Sequence, residues 1–316
     1  MTLTDPTTNT NPTTDPFQRV VNALEANFGA APKRRAAHAK GIVALGTFTS
    51  TPEARAISRA GHFAGGTVDV VARFSNFPGG ASHPDAAPES NPRGLAVQFR
   101  LPDGATTDLL AHSINGFPGR TVDDFGDFLE AISPQGGGPE AYLATHPAAA
   151  AFVHGIQTHG TPASYAGLAY FAVNAFLFQD ANDRTRAGRY TWLPVVPAQT
   201  VSDDAVGGLD ADFLVTELSE RVRAGAVEMK LVLDLAEPED PTDDANAQWP
   251  GDRQRVTLGT MRLDRVAADS AVAEQGLFFD PVRLVDGITV SDDPLLVGRT
   301  RTYPISLAHR HQERPS

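Results

Sequence analysis

Apolar residues at positions 17, 20, 21, 24 and 28 recur at helical spacing, and the helix they predict must stop at the break formed by Gly29 and Pro32. Past this break the period shortens. Segments 41–49, 67–75, 94–101 and 107–114 are short, rich in β-branched and aromatic residues, and separated by turn-forming stretches such as Phe77-Pro78-Gly79-Gly80, so they read as strands. Helical spacing returns at 121–132, where Thr121 and Asp124 occupy capping-box positions around an apolar set of Val122, Phe125, Phe128 and Leu129. A glycine-rich loop at 136–138 and an alanine-rich helical stretch follow. Further strands are predicted at 165–179, 189–195, 226–235 and 254–264, with a helix at 213–223 between two of them. Residues 275–292 show little periodicity. Asp293 and Pro294 then supply a capping carboxylate and a first-turn proline, the start of a last helix.

Eight strands in consecutive hairpins, with few helices, predict an α+β chain built on an antiparallel eight-stranded β-barrel with helical insertions. A barrel of that size can hold one ligand. Residues 1–16, rich in Thr, Asn, Asp and Pro, have neither a basic start nor an apolar stretch. They are expected to form a disordered tail, not a signal peptide, ahead of a single domain over 17–316. An apolar fraction of 41% is enough for a sizeable core. No apolar run approaches the roughly 20 residues that span a bilayer, so no membrane partner is expected and the location is read as cytoplasmic. A net charge of −12 argues against a nucleic-acid partner. The absence of cysteine excludes disulfides, thiolate catalysis, iron–sulfur clusters and thiolate-ligated haem.

On the last helix Arg299 and Tyr303 are four residues apart and Arg310 lies two turns further, so all three can share one face. A phenol ordinarily ionises near pH ~10, and an adjacent guanidinium favours its charged form. A tyrosinate held in this way is a ligand for ferric haem iron, and a second arginine can meet a haem propionate bidentately. A surface helix with spare arginines is the competing reading of the same residues. Four further runs bear on the choice: Lys33-Arg34-Arg35-Ala36-Ala37-His38-Ala39-Lys40-Gly41, Arg73-Phe74-Ser75, Asn91-Pro92-Arg93-Gly94-Leu95-Ala96-Val97-Gln98-Phe99, and Asp108-Leu109-Leu110-Ala111-His112-Ser113.

The order and spacing of these runs resemble the haem catalase family. That family carries Arg-x-x-His-Ala-(Lys/Arg)-Gly, then Arg-Phe-Ser, then Pro-Arg-Gly, an Asp-Leu-x-x-Asn stretch and a late Gly-Arg-x-x-x-Tyr-Pro. Stretches around Trp249-Pro250 and Phe279-Asp280-Pro281 are also family-like, so the likeness runs from about residue 17 to 312. It implies Tyr303 as the axial ligand of the haem iron and Arg299 as the group that keeps the phenolate. His38 becomes the distal acid–base group and Ser75 the partner that fixes its ring. Arg35, Arg73 and Arg310 are assigned to the propionates. Phe74 and Phe125 are expected to pack on the porphyrin, and Phe128 to line the distal pocket.

The departures from the family pattern narrow the expected chemistry. The distal asparagine falls at His112 or, with a shift of one, at Ser113; Ala37 replaces a valine and Pro118 a phenylalanine. The chain ends soon after the tyrosine helix, which implies no C-terminal helical domain, as in the small catalase-related peroxidases. The resemblance thus implies a haem b peroxidase. It would reduce hydrogen peroxide or an organic hydroperoxide with a small organic donor, with weak catalase activity, as a monomer or small homo-oligomer. An allene oxide synthase-like enzyme that rearranges hydroperoxides and a non-catalytic haem-binding barrel are the alternatives. His62, His83, His146, His154, His159, His309 and His311 show no metal-site spacing and read as structural or surface residues.

Overall fold

The computed structural model describes residues 15–29, 35–80, 82–134 and 136–311, the side chains of 309–311 excepted. Its strands are β1 (Gly41–Ser50), β2 (Thr67–Ser75), β3 (Gly94–Arg100), β4 (Thr106–His112), β5 (Tyr170–Phe171), β6 (Phe176–Gln179), β7 (Thr185–Pro194), β8 (Val227–Leu235), β9 (Arg255–Val266) and β10 (Ile288–Val290). The antiparallel ladder β1-β2-β3-β4-β5-β7-β8-β9 returns to β1, and these eight strands form the closed barrel expected from the sequence. Closure removes the open edges that would otherwise invite pairing with other chains. β6 and β10 extend the wall from β7 as a short flap.

The helices are α1 (Pro16–Phe28), α2 (Pro52–Ile57), α3 (Val122–Ala131), α4 (Glu140–Leu143), α5 (Pro147–Thr158), α6 (Asp203–Val206), α7 (Phe213–Ala224), α8 (Ser270–Gln275) and α9 (Pro294–His311). α1 starts at Pro16, capped by Asp15, so the last two residues assigned to the tail belong to the fold; residues 1–14 lie outside the described residues. α3 carries the capping box read from Thr121 and Asp124. α1 packs on both α3 and α9, forming a helical layer beside the barrel.

Segment 165–179 is not one strand. A turn at Tyr165–Gly167 and Asn174 divide it into β5 and β6. Nearly every residue there is apolar, so no alternation in the sequence marks its breaks. The aperiodic 275–292 stretch likewise contains β10.

The pleat sorts the strand residues between two faces. Ile42, Ala44 and Phe48 of β1, Val70, Ala72 and Phe74 of β2, and Leu95, Val97 and Phe99 of β3 join the main core, whereas Val43, Leu45, Val71 and Ala96 pack in a separate outer cluster. The interior is filled by side chains, among them Phe48, Phe99, Trp192, Tyr165 and Tyr170. A barrel of this size can hold a ligand, but aromatic side chains fill this lumen.

His62 is buried in this aromatic layer, its ring centroid 4.0 Å from that of Phe63 and 4.7 Å from that of Phe99. Burial pushes its imidazole down to about 3, so it stays neutral where an unfolded histidine would take a proton. Between the unfolded value and about 3 the unfolded chain binds the extra proton, and stability must fall as pH falls through that window. A His62→Phe variant is expected to lose less of its melting temperature between pH 6.5 and 4.5 than the parent, measured calorimetrically. An undiminished loss would clear His62 of that role.

Candidate active site on the outer wall of the barrel

Register alone assembles the first part of the site. Ser75 pairs with Gly94 and Gly94 with His112, so these three form a row across β2, β3 and β4; Arg73, Ala96 and Leu110 form the next outward row. All six line a cleft between the outer wall and α9 that encloses about 1010 Å³ of empty space, its mouth included. α9 contributes Arg299, Thr302, Tyr303, Ser306 and Leu307, a single helical face at the expected three- and four-residue spacing.

His38 reaches the row from the loop before β1. Its backbone is in the left-handed region, with φ 57°, and is held there by hydrogen bonds from His38 N to the Phe77 carbonyl (2.7 Å) and from Ala39 N to the Pro78 carbonyl (3.0 Å). Such a conformation costs a non-glycine residue about 1–3 kcal/mol and persists only where its surroundings impose it. Here it turns the imidazole over Gly94, with Nδ1 3.0 Å from Ser75 Oγ. A Cβ on Gly94 would lie 2.7 Å from Ser75 Oγ and 2.8 Å from the His38 ring, so only glycine leaves room.

His38 lies deep in the protein yet opens partly to the cleft. Burial, followed by the positive charge of Arg73 and the neighbouring His112 and Arg299, pushes its imidazole down to about 3. At neutral pH it is an uncharged ring whose Nδ1 is engaged and whose Nε2 is left for the cleft. His112 is also pushed down to about 3, by burial and then by Arg299. Both of its ring nitrogens are buried with no hydrogen-bond partner. The choice left open by the sequence is thereby resolved: His112 lines the cleft, while Ser113 Oγ accepts from Arg93 N (3.0 Å) in the wall behind it.

On the α9 side, the Arg299 guanidinium donates twice to Tyr303 Oη, from Nε at 3.0 Å and Nη2 at 2.6 Å, and a third time to Asn174 Oδ1 at 3.2 Å. Asn174 Nδ2 donates to Asp293 Oδ2 (2.8 Å), and Asp293 Oδ1 accepts from Leu295 N (2.9 Å) at the start of α9. Burial pushes the Asp293 carboxyl up despite these bonds. The cap that starts the helix is thus wired to the tyrosine ten residues later. Gly298 permits the close approach of α9 to α3, since a Cβ there would lie 2.3 Å from Val122 Cγ2.

Arg35 and Arg73 line the same cleft, beside Phe278 and Phe279. Arg35 lies over the Phe279 ring with Cζ 6.0 Å from its centroid. Three aromatic residues expected at the site are not among those lining the cleft. Phe74 points into the barrel against Tyr165 and Tyr170, because it alternates with Arg73 and Ser75, which point out. Phe125 stands one ring back from the cleft, 4.8 Å from Phe117, which in turn neighbours His112 at 6.4 Å. Phe128 is buried among the helices against Phe152 and Tyr142. The Arg310 side chain lies outside the described residues. Asn174 and the ring space at Gly94 were not singled out in the sequence. A lone amide between Val173 and Ala175 in an apolar run was the available signal for Asn174. Among the described residues no cluster of His, Asp and Glu could hold a metal ion, and no helix is long and apolar enough to cross a membrane.

The outer wall of a closed eight-stranded barrel and the last helix thus enclose two histidines, two arginines and an arginine-bound tyrosine. Residues 29–314 match the family described as Catalase, and the chain belongs to the catalase family. It is 36% identical over 296 residues to a catalase-related peroxidase of Mycolicibacterium paratuberculosis, covering 92% of this chain and 94% of the relative. With a catalase-related peroxidase of Synechococcus elongatus the identity is 32%, over 92% of this chain and 88% of that one. A fungal catalase crystal structure superposes with a TM-score of 0.79 at 20% identity, over 88% of this chain, which spans 59% of the fungal chain.

Replacing Asn174 with Ala leaves buried hydrogen-bonding capacity on both Arg299 and Asp293. This variant is expected to lose about 1–3 kcal/mol of stability in urea unfolding. An unchanged midpoint would show that the link between cap and tyrosine carries no weight.

Proposed function

We propose that this chain is a haem b-dependent peroxidase of the cytoplasm that reduces hydrogen peroxide or organic hydroperoxides with a small organic donor, with weak catalase activity, as a monomer or small homo-oligomer. The observation that carries the reading is a single cleft lined by Tyr303 with its two guanidinium hydrogen bonds, by a neutral His38 fixed by Ser75, and by two arginines. The names of the two catalase-related peroxidase relatives agree with it.

The residues fit such a cofactor. Leu24, Leu110 and Phe278 offer apolar surface to a flat macrocycle, and Arg35 and Arg73 offer cations to its carboxylates. The Tyr303 oxygen already accepts two charged N–H groups, the environment an anionic oxygen ligand favours. His112 lines the same cleft, and both of its ring nitrogens are buried without a hydrogen-bond partner, so polar contacts remain to be made there. Bound haem would supply the ferric centre at which the peroxide O–O bond is broken and whose electrons the donor restores.

The chain's own residues handle protons and orientation. His38 accepts the proton of one peroxide oxygen at Nε2 and returns it to the other, and the Ser75 bond at Nδ1 keeps the ring from turning away. His112, neutral, has one N–H to give and one lone pair to offer a bound hydroperoxide. An imidazole holds peroxide in a different geometry from the amide of full-length catalases, and we link the weak catalase activity to that difference. Ala37 at the cleft wall leaves room for larger hydroperoxides.

The test begins with absorption spectra of the protein supplied with haem, followed by donor oxidation and oxygen release for hydrogen peroxide and a bulky hydroperoxide. His38→Ala is expected to keep the haem spectrum and lose about 10²-fold or more in peroxide turnover. Full turnover in that variant would overturn the assignment of His38. Rapid oxygen evolution would overturn the peroxidase reading, and donor-independent consumption of the bulky hydroperoxide would replace it with rearrangement chemistry.

A further inference from the structure

A carboxylate of the chain stands between the two arginines of the cleft. Glu274 Oε1 lies 2.8 Å from Arg73 Nε and its Oε2 4.0 Å from Arg35 Nε. The three side chains are 17%, 3% and 19% exposed, in the order Glu274, Arg73, Arg35. The helix that carries Glu274 is short but pinned. Asp269 caps α8 by accepting from Val272 N, and Ser270 Oγ accepts from Val43 N at 3.1 Å. Leu277 just beyond packs on Val43, Val71 and Phe279 of the outer wall.

The contacts to Glu274 are nevertheless incomplete. Arg73 Nε makes no well-directed hydrogen bond to the nearby carboxylate, and the Arg73 Nη2 bond to the Ala39 carbonyl is long, at 3.3 Å. Arg35 spends its Nη2 on the Leu277 carbonyl at 2.9 Å. The Arg73 guanidinium is not held in the bidentate fork that a committed carboxylate partner makes. Gly41 leaves the space beside Arg73, since a Cβ there would sit 2.7 Å from its Cζ.

We propose that Glu274 is a placeholder for a carboxylate of the cofactor. Glu274 neutralises Arg73, which would otherwise be a lone buried cation, and keeps both arginines aimed at the cleft. When a porphyrin enters, its carboxylate takes over Arg73 and Glu274 gives way. Glu274 also sets the charge at this rim: it places one anion beside Arg73 and Arg35, where a dicarboxylate porphyrin would bring two more. The placeholder therefore weakens binding of the group it imitates, in return for a folded cleft without it. This inference rests on the haem reading above and names a positioning residue for cofactor uptake.

The experiment titrates the cofactor-free protein with zinc protoporphyrin IX and with its uncharged dimethyl ester, following fluorescence. Glu274→Gln is expected to bind the dicarboxylate roughly tenfold more tightly than the parent, the scale of one close like-charge contact removed near a protein surface. The ester should bind the two proteins alike. Glu274→Asp keeps the charge and should stay in the parent's range. The double variant Arg73→Gln/Glu274→Gln, which restores the parent's net charge, should lose the gain. Equal or weaker dicarboxylate binding by Glu274→Gln, or the same gain for the ester, overturns the proposal. If Glu274→Gln does not fold alone, the dicarboxylate must rescue its refolding where the ester does not; failure of that rescue overturns it too. A parent protein that binds neither porphyrin would overturn the haem reading and this inference with it.

Discussion

The pleat of three adjacent strands is the constraint on which the site depends. Side chains alternate between faces of a strand, so Arg73 and Ser75 must leave the barrel where Phe74 enters it. The antiparallel register then carries that outward position through Gly94 to His112. A slip of one residue in β3 would turn Gly94 inward and put a side chain under the His38 ring. The packed interior stabilises this register, because Leu95, Val97 and Phe99 can be buried only when Gly94, Ala96 and Gln98 face out. Core packing on one side of the wall thus aligns the chemistry on the other.

The remaining parts attach to that wall by polar links. The loop before β1 is held by main-chain bonds to Phe77 and Pro78, which fix the unusual backbone of His38. α8 is tied to β1 through Ser270 and brings a carboxylate to the arginines. α9 is tied to the β5–β6 junction through Asn174, which touches both the helix cap and the arginine that grips Tyr303. Each link joins a residue that supports the cleft to one that lines it or starts its helix. The apolar contribution comes from behind, where Phe117 and Phe152 flank His112.

Much of this was legible in the sequence where local rules dominate. The pairing of Arg299 with Tyr303 needs only helical spacing, and the helix start needs only Asp293 and Pro294. The barrel strands β1 to β4 show in their composition and turns. What was not legible depends on tertiary parity or on distant partners. Phe74 looked like a site residue because it stands between two of them, yet its neighbours' outward direction sends it inward. β5 and β6 merged into one segment because the sequence from 165 to 179 is apolar almost throughout. Asn174 and Glu274 lie 119 and 201 residues from the partners that give them meaning, by the positions of Asp293 and Arg73, and no local pattern announces either.

The site has a temporal order because α9 follows all the barrel strands in the chain. On the ribosome the N-terminal parts emerge first, so β1 to β9 can pair and close while the tyrosine helix is still being made. The wall that carries His38, Ser75 and His112 then exists before Tyr303 can face it. In that order the cleft is completed when α9 docks on the barrel wall, and the hydrogen bond from Arg299 to Asn174 joins the two.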